Sequence, residues 1–527
     1  MRSKKKKFFL SLPDLMPEAW FLFFVFPGPL PDGGKDKMIE EGSAAGMGKG
    51  ERELFERSPI LQAIMRLAIP TVIGQIILVI YNMADTFFIG ISGSDAKLTA
   101  AAVCMPAFMF LSAISNLFGV GGSSVISRAL GCRDTQRVRR ASAFAAWGCM
   151  AVSLLYSLFA LLFSDGFIDL LGGSALAVHG FAKEYLLITV TIGGTATAMS
   201  TFLSHLIRSE GHAMQASAGI MLGGLLNIVL DPLFMFVLLA PGQEIIGAAV
   251  ATTLSNCVAL VYFIAVLIKG RKKSSLCFRP SLDMLDSSVI GGVLSAGLPA
   301  CLMTLMENIS YAVLDNLMCA YGIACQAGLG VAKKINMLAH CIVRGMSQSV
   351  LPLIGFNYAS KNYRRMKQSI LYSGAISILL AVACMTISLV FNRQLVSIFI
   401  QDDHIESLQS GARFLCILCL GGPFSAAAYA IISFFQATGK GMKSFCLAVL
   451  RKGVLDIPMM FLLNMIIPVN GIVMATPITD VICSMAAIVM FASFLHLHKE
   501  MDGKVDDQEA ERAKDPAIIR QLANESA

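Results

Sequence analysis

From Leu67 to Leu497 the chain is a succession of long, continuous apolar runs separated by short polar turns. A hydrocarbon core takes about 20 residues of helix to cross. Twelve runs meet that length, at 67–91, 98–127, 141–163, 185–207, 214–239, 246–268, 288–320, 325–355, 369–391, 411–435, 444–467 and 471–496. A membrane barrel would show short alternating strands instead, so a bundle of transmembrane helices is the remaining way to satisfy every backbone group in lipid.

The turns differ in charge. Those after runs 2, 4, 6, 8 and 10 hold nineteen basic residues, among them Arg133, Arg137, Arg208, Lys269, Arg271, Arg364, Lys440, Arg451 and Lys452. The opposite turns hold only Lys97, Lys183, Arg393 and Arg413, with acids at Asp165, Asp169 and Glu406. The positive-inside bias places the basic side and both termini in the cytoplasm.

The pattern also repeats, with a period near 228. Ile69-Pro70 returns as Leu298-Pro299, and Gly131-Cys132-Arg133-Asp134 as Ala359-Ser360-Lys361-Asn362. Arg208-Ser209-Glu210-Gly211 returns as Gln436-Ala437-Thr438-Gly439, and the run from Gly247 as the run from Gly471. Six spans per repeat bring the chain back to the same side, so the two repeats are parallel, about an axis near the membrane normal. Two such bundles around a central site are a transporter pattern. The expected fold is an all-α integral membrane protein of twelve transmembrane helices in two parallel six-helix repeats. Its first lobe covers 58–270, a cytoplasmic inter-lobe loop 271–286, and the second lobe 287–497. A charged cytoplasmic tail fills 498–527. Residues 1–57, broken by Pro13, Pro17, Pro27, Pro29 and Pro31, are expected as a disordered extension, and Met38 or Met47 could serve as the start instead.

Composition agrees. Of 527 residues, 56% are apolar and 15% charged, against about 25% charged in soluble domains. That excludes an ordinary cytosolic enzyme, a disordered chain and a nucleic-acid binder. The net charge of +7 belongs to the turns. The fourteen cysteines lie mostly within apolar runs, where Cys is a small apolar residue. Cys416 and Cys419 have redox spacing but no second Cys pair or His beside them.

Several segments resemble signatures of the MATE family, the multidrug and toxic compound extrusion transporters. They are Ile69-Pro70, the stretch Tyr81 to Gly90, Ile207-Arg208-Ser209-Glu210-Gly211, Asn227 to Pro232, and Leu351 to Tyr358. The resemblance spans about 58–497 and is similar in its first half to the DinF-like and MepA-like bacterial branch. It implies export of amphipathic, often cationic compounds in exchange for H⁺ or Na⁺ across the bacterial inner membrane. It implies no cofactor beyond that ion.

A carboxylate inside a span costs a few kcal/mol and marks a functional site by default. Asp85 lies in run 1 and Asp231 in run 5. Asn227 is four residues before Asp231 and shares its helix face. Pro232 frees the carbonyl of Ile228. Together these make an all-oxygen setting suited to Na⁺ or a proton. The matching positions of DinF-like relatives imply a first-lobe cation site completed by a threonine of run 6, Thr252 or its neighbour Thr253. Glu307 in run 7 matches a second-lobe carboxylate of NorM-like relatives. Their run-10 acid is missing here, with Ser425 near its place, so Glu307 is a candidate for cation or substrate contact and a structural role is open. Lys333, Lys334 and Arg344 are placed to neutralise second-lobe acids. Asp456, just after Arg451-Lys452, reads as part of an interfacial ion pair. Arg128 and Arg208 read as turn anchors, and His205 and His340 as satisfied by helix neighbours.

The expected partners are small amphipathic or cationic molecules and the bilayer, with the protein monomeric and bound to no nucleic acid. There is no Gly-x-x-x-x-Gly-Lys-Ser/Thr loop for ATP. Two other readings compete. A flippase for lipid-linked sugars would want a strongly cationic cavity, and a membrane enzyme would want clustered catalytic groups.

Overall fold

A computed structural model describes residues 49–91, 95–170, 176–271, 273–400 and 405–513. Its helices cover all twelve apolar runs. In the first lobe, α1 (Lys49–Glu56) precedes α2 (Ile60–Ile91), α3 (Asp95–Gly131) and α4 (Thr135–Leu162). Short α5 (Ser164–Leu170) leads to α6 (Leu176–Leu186), α7 (Gly194–Ser209), α8 (Ala213–Leu233) and α9 (Glu244–Gly270). In the second lobe, α10 (Ser287–Cys319), α11 (Ile323–Ala359) and α12 (Tyr363–Val390) are followed by short α13 (Asn392–Ser397). Then come α14 (Ile405–Cys419), α15 (Gly422–Ala437), α16 (Gly441–Val449), α17 (Asp456–Ile466) and α18 (Asn470–Ala513).

Among the described residues, nine helices are long and apolar enough to cross a membrane. Two further crossings are bent pairs. One joins Val178–Ile192 to Gly194–Ser209 at 49°, and the other joins α14 to α15 at 43°. The bends fall at Gly193 and at Gly421, in corresponding places of the two repeats. The first bent crossing begins earlier than the run at 185–207, because its outer part carries Lys183 and Glu184 and reads as polar. The remaining crossing, the eleventh in chain order, is α16 and α17 joined by a π-helical stretch, Leu450–Leu455.

The basic turns share one end of the bundle. The thiol of Cys132, after α3, donates to the carbonyl of Ala359 at the end of α11, at 3.5 Å. The carboxylate of Glu210, after α7, accepts from the hydroxyl of Ser274 and the backbone N–H of Ser275, both at 2.7 Å. Arg140 pairs with Asp286 at 3.3 Å. The two lobes are also pressed together toward this end. A Cβ on Gly297 would stand 1.8 Å from the carbonyl oxygen of Leu117, and one on Gly121 2.2 Å from that of Val293. Only glycine lets α3 and α10 approach so closely. The hydroxyl of Ser124 donates across the lobes to the carbonyl of Gln436.

Two expectations are corrected. Residues 49–57 are not a disordered extension: α1 inserts Leu54 and Phe55 into the core, Phe55 fully buried. Phe55 stacks on Phe356 with ring centres 5.4 Å apart, and its carbonyl accepts from Arg365 at 2.7 Å. This apolar pair in a polar segment drives the docking. Residues 1–48 and 514–527 lie outside the described residues. At the other end, α18 continues as helix to Ala513, well past the expected end of the lobe at 497.

Candidate functional sites

The first site lies within the first lobe. Helix α2 brings Asp85 against α8, which carries Asn227 and Asp231 one turn apart on its buried face. The Nδ2 of Asn227 donates to Asp231 Oδ1 at 3.0 Å and to Thr252 Oγ1, on α9, at 3.2 Å. Three oxygens are then left buried without a hydrogen-bond donor: Asp85 Oδ1, Asn227 Oδ1 and Asp231 Oδ2. The two carboxyls are near enough to act on each other electrostatically. Neither forms an ion pair among the described residues. Tyr81 and Tyr185 lie within reach of both charges. Buried oxygens of this kind are costly unless a proton or a cation joins them.

Geometry also separates the two threonines. Thr252 faces Asn227, whereas Thr253 donates to the carbonyl of Ile188 at 3.1 Å and packs on Gly193, at the bend between α6 and α7. Pro232 lies inside α8, and the helix loosens into a π-helical stretch, Phe234–Leu238, just beyond it.

The second lobe is built differently. Glu307 is paired with Arg344 and also accepts from Tyr429 at 3.4 Å. Lys333 is paired with Asp315. Deeper in, Arg451 binds Asp480 at 2.7 Å and donates to Ser425 Oγ at 2.7 Å. Lys452 binds Asp456 at 3.0 Å, and Asp456 also accepts from Ser310 and Thr476. Arg451 and Asp456 are fully buried and Lys452 nearly so. This corrects the interfacial reading of Asp456 and the placing of Arg451 and Lys452 in a turn. The π-helical stretch keeps them inside a continuous helix, where each charge has an opposite partner. Ser425, near the place of the missing acid, is held by Arg451.

The third site is a narrow cleft between the lobes. Its first-lobe wall is Asn116, Val120 and Ser123 of α3 with His205 and Arg208 of α7. Each has its repeat mate on the opposite wall, as Arg344, Gln348, Leu351, Ser433 and Gln436. The cleft therefore lies on the pseudo-twofold axis. Glu307, Met303, Ser347 and Tyr429 also line it. Arg208 is a cleft residue and not a turn anchor, a role missed because it closes its apolar run. Its repeat relation to Gln436 was the signal that could have found it.

Two parallel six-helix lobes around an axial cleft, with uncompensated acids in one of them, define a multi-pass membrane transporter. The MatE family model matches twice, at residues 70–233 and 299–462, one match per lobe. The chain belongs to this family, the MATE transporters. It is 28% identical over 442 residues to the multidrug export protein MepA of Staphylococcus aureus (strain MRSA252), covering 83% of this chain and 94% of that one. The MepA of Staphylococcus haemolyticus (strain JCSC1435) is also 28% identical, over 83% of this chain and 95% of that protein. Among solved structures, a MATE protein in complex with MaL6 superposes with a TM-score of 0.77 at 25% identity, over 86% of this chain and 100% of the other. An outward-facing multidrug resistance MATE transporter of the MOP superfamily gives 0.77 at 24% identity, over 86% and 99%.

Proposed function

We propose that the protein exports amphipathic, cationic organic compounds from the bacterial cytoplasm in antiport with H⁺ or Na⁺, by alternating access of its two lobes. The observation that carries this reading is the set of unpaired oxygens on Asp85, Asn227 and Asp231. The multidrug export proteins among its relatives support the direction and the substrate class.

In this reading the lobes, pressed together at the basic end, are in the state that releases outward. A cation arriving from outside neutralises the acid pair and removes its attraction for a cationic substrate. Return to the inward-open state and loss of the cation inside restore the negative site. Coupling requires that cation and substrate differ in affinity for the two states, since a ligand that binds both equally shifts nothing. The protein acts as a monomer in the inner membrane and carries no prosthetic group. Accumulation of a fluorescent cationic dye should fall in cells that make the protein, and equal accumulation with and without it would refute the reading.

The lipid-linked sugar flippase retains one supporting observation, the unpaired Arg208 in the cleft. Against it, Glu307 neutralises Arg344 and the first lobe holds acids where that substrate needs bases.

The orientation can be checked with native cysteines. Cys132 is exposed at the basic end and Cys319 at the opposite end. In single-cysteine versions, an impermeant maleimide on intact cells should label Cys319 and spare Cys132. The reverse pattern would invert the topology.

Glu307 should matter less to coupling than Asp85, because Arg344 already compensates its charge. Glu307→Gln keeps a hydrogen bond to Arg344 and should reduce dye efflux by about 10-fold or less, the scale of one ordinary hydrogen bond. Loss of all efflux in Glu307→Gln with full activity in Asp85→Asn would move the coupling site to the second lobe.

A further inference from the structure

The guanidinium of Arg208 is an unexplained charge. The residue is 2% exposed and lines the cleft, yet its Nε and Nη2 meet no hydrogen-bond partner among the described residues. Glu210, two residues on, is occupied by Ser274 and Ser275 on the far side of the turn. A buried cation without a counter-ion is costly, and among the described residues no acid pairs with it.

The unpartnered atoms have a specific geometry. Nε and Nη2 are neighbours on one edge of the guanidinium, the edge that takes both oxygens of a carboxylate or phosphate as two parallel hydrogen bonds. Across the cleft stands the repeat mate Gln436, and beside it Ser433, the mate of His205. Ser347 also lines the cleft, 6% exposed, with its hydroxyl unpartnered. Of the charged groups lining the cleft, Glu307 and Arg344 neutralise each other, which leaves Arg208 as the net charge.

We propose that the basic end of the cleft is a binding site for an oxyanion, the carboxylate, sulfonate or phosphate of an amphipathic compound, held by Arg208 with Gln436, Ser433 and Ser347 around it. A turn of the arginine side chain presents its free edge to the ligand. The apolar remainder of the ligand lies toward Met303 and Tyr429, and a basic group on it meets Glu307. The site is distinct from the Asp85–Asp231 pair and stands whether or not that pair couples transport.

Two dyes built on one ring system test this. Fluorescein carries a carboxylate and rhodamine 123 a positive charge. Their binding to the purified full chain in phosphatidylcholine nanodiscs is read by fluorescence polarisation. Arg208→Gln should weaken fluorescein by about 10-fold or more, as for a lost charge-assisted hydrogen bond. Arg208→Lys, which keeps the charge without the fork, should weaken it less. Rhodamine 123 should bind neither variant more weakly than wild type, since losing a like charge does not weaken a cation, and this also shows that they are folded. Should Arg208→Gln fail to fold, Gln436→Leu should weaken fluorescein and spare rhodamine 123. Equal fluorescein affinity in wild type and variant, or equal loss of both dyes, would overturn the proposal. Dihexanoyl phosphatidylglycerol as competitor separates the sources of the group. Displacement of fluorescein assigns the site to a lipid phosphodiester, and no displacement assigns it to soluble compounds; either result keeps the oxyanion site.

Discussion

Asp85→Asn and Asp231→Asn are each expected to lower gradient-driven efflux by about 100-fold, the scale of losing one charged ligand contact, while the protein inserts and folds normally. The amide is nearly the same shape as the carboxyl, so α2 and α8 keep their packing. What changes is the charge. An ionised aspartate in mid-span costs about 2.5–3.5 kcal/mol on insertion scales, so its removal should leave stability unchanged or raised. Opposite signs for stability and activity are the mark of a functional charge. Efflux from cells and thermal unfolding in detergent, measured on the same variants, read the two signs. Loss of folded protein in both variants would make the acids structural.

The second large effect concerns folding of the other lobe. Arg451 and Asp480 are each 1% exposed at the side chain and joined at 2.7 Å. The guanidinium also lies 4.4 Å from the ring centre of Tyr429, which reaches on to Glu307 and Arg344. Arg451→Leu leaves the carboxylate of Asp480 buried without a partner and should destabilise the protein by about 3–5 kcal/mol. Arg451→Leu combined with Asp480→Leu removes both charges and should recover most of the loss, since replacing a buried pair by apolar groups is often neutral. The melting temperature in detergent distinguishes the single from the double variant. A single variant as stable as wild type would show that water or lipid headgroups reach the pair.

What was legible in the chain follows from how each signal is encoded. Lone acids in apolar runs stand out, so Asp85 and Asp231 are legible as candidates, and helical spacing joins Asn227 to Asp231, a pairing the structure shows. Thr252 and Thr253 could not be separated, because adjacent residues point about 100° apart and only the packing of α9 selects one. The charges of the eleventh crossing were misplaced for a physical reason. Arg451, Lys452 and Asp456 follow Lys440 and Lys443 closely and look like one basic turn. Their solvation by Asp480, Ser425, Ser310 and Thr476 comes from other helices and leaves no local trace. The fit of Phe55 against Phe356 likewise joins segments far apart in the chain. Arg208 was assigned by its place at the end of a run, although its repeat mate pointed toward the axis.

The central claim is that the first-lobe acids exchange a coupling cation for substrate. The direct measurement is cationic dye flux in proteoliposomes under an imposed H⁺ or Na⁺ gradient, for wild type and for Asp85→Asn combined with Asp231→Asn. Wild type should move dye against its gradient until an ionophore collapses the driving ion, and the double variant should move none. Gradient-driven flux that persists in the double variant would contradict the account.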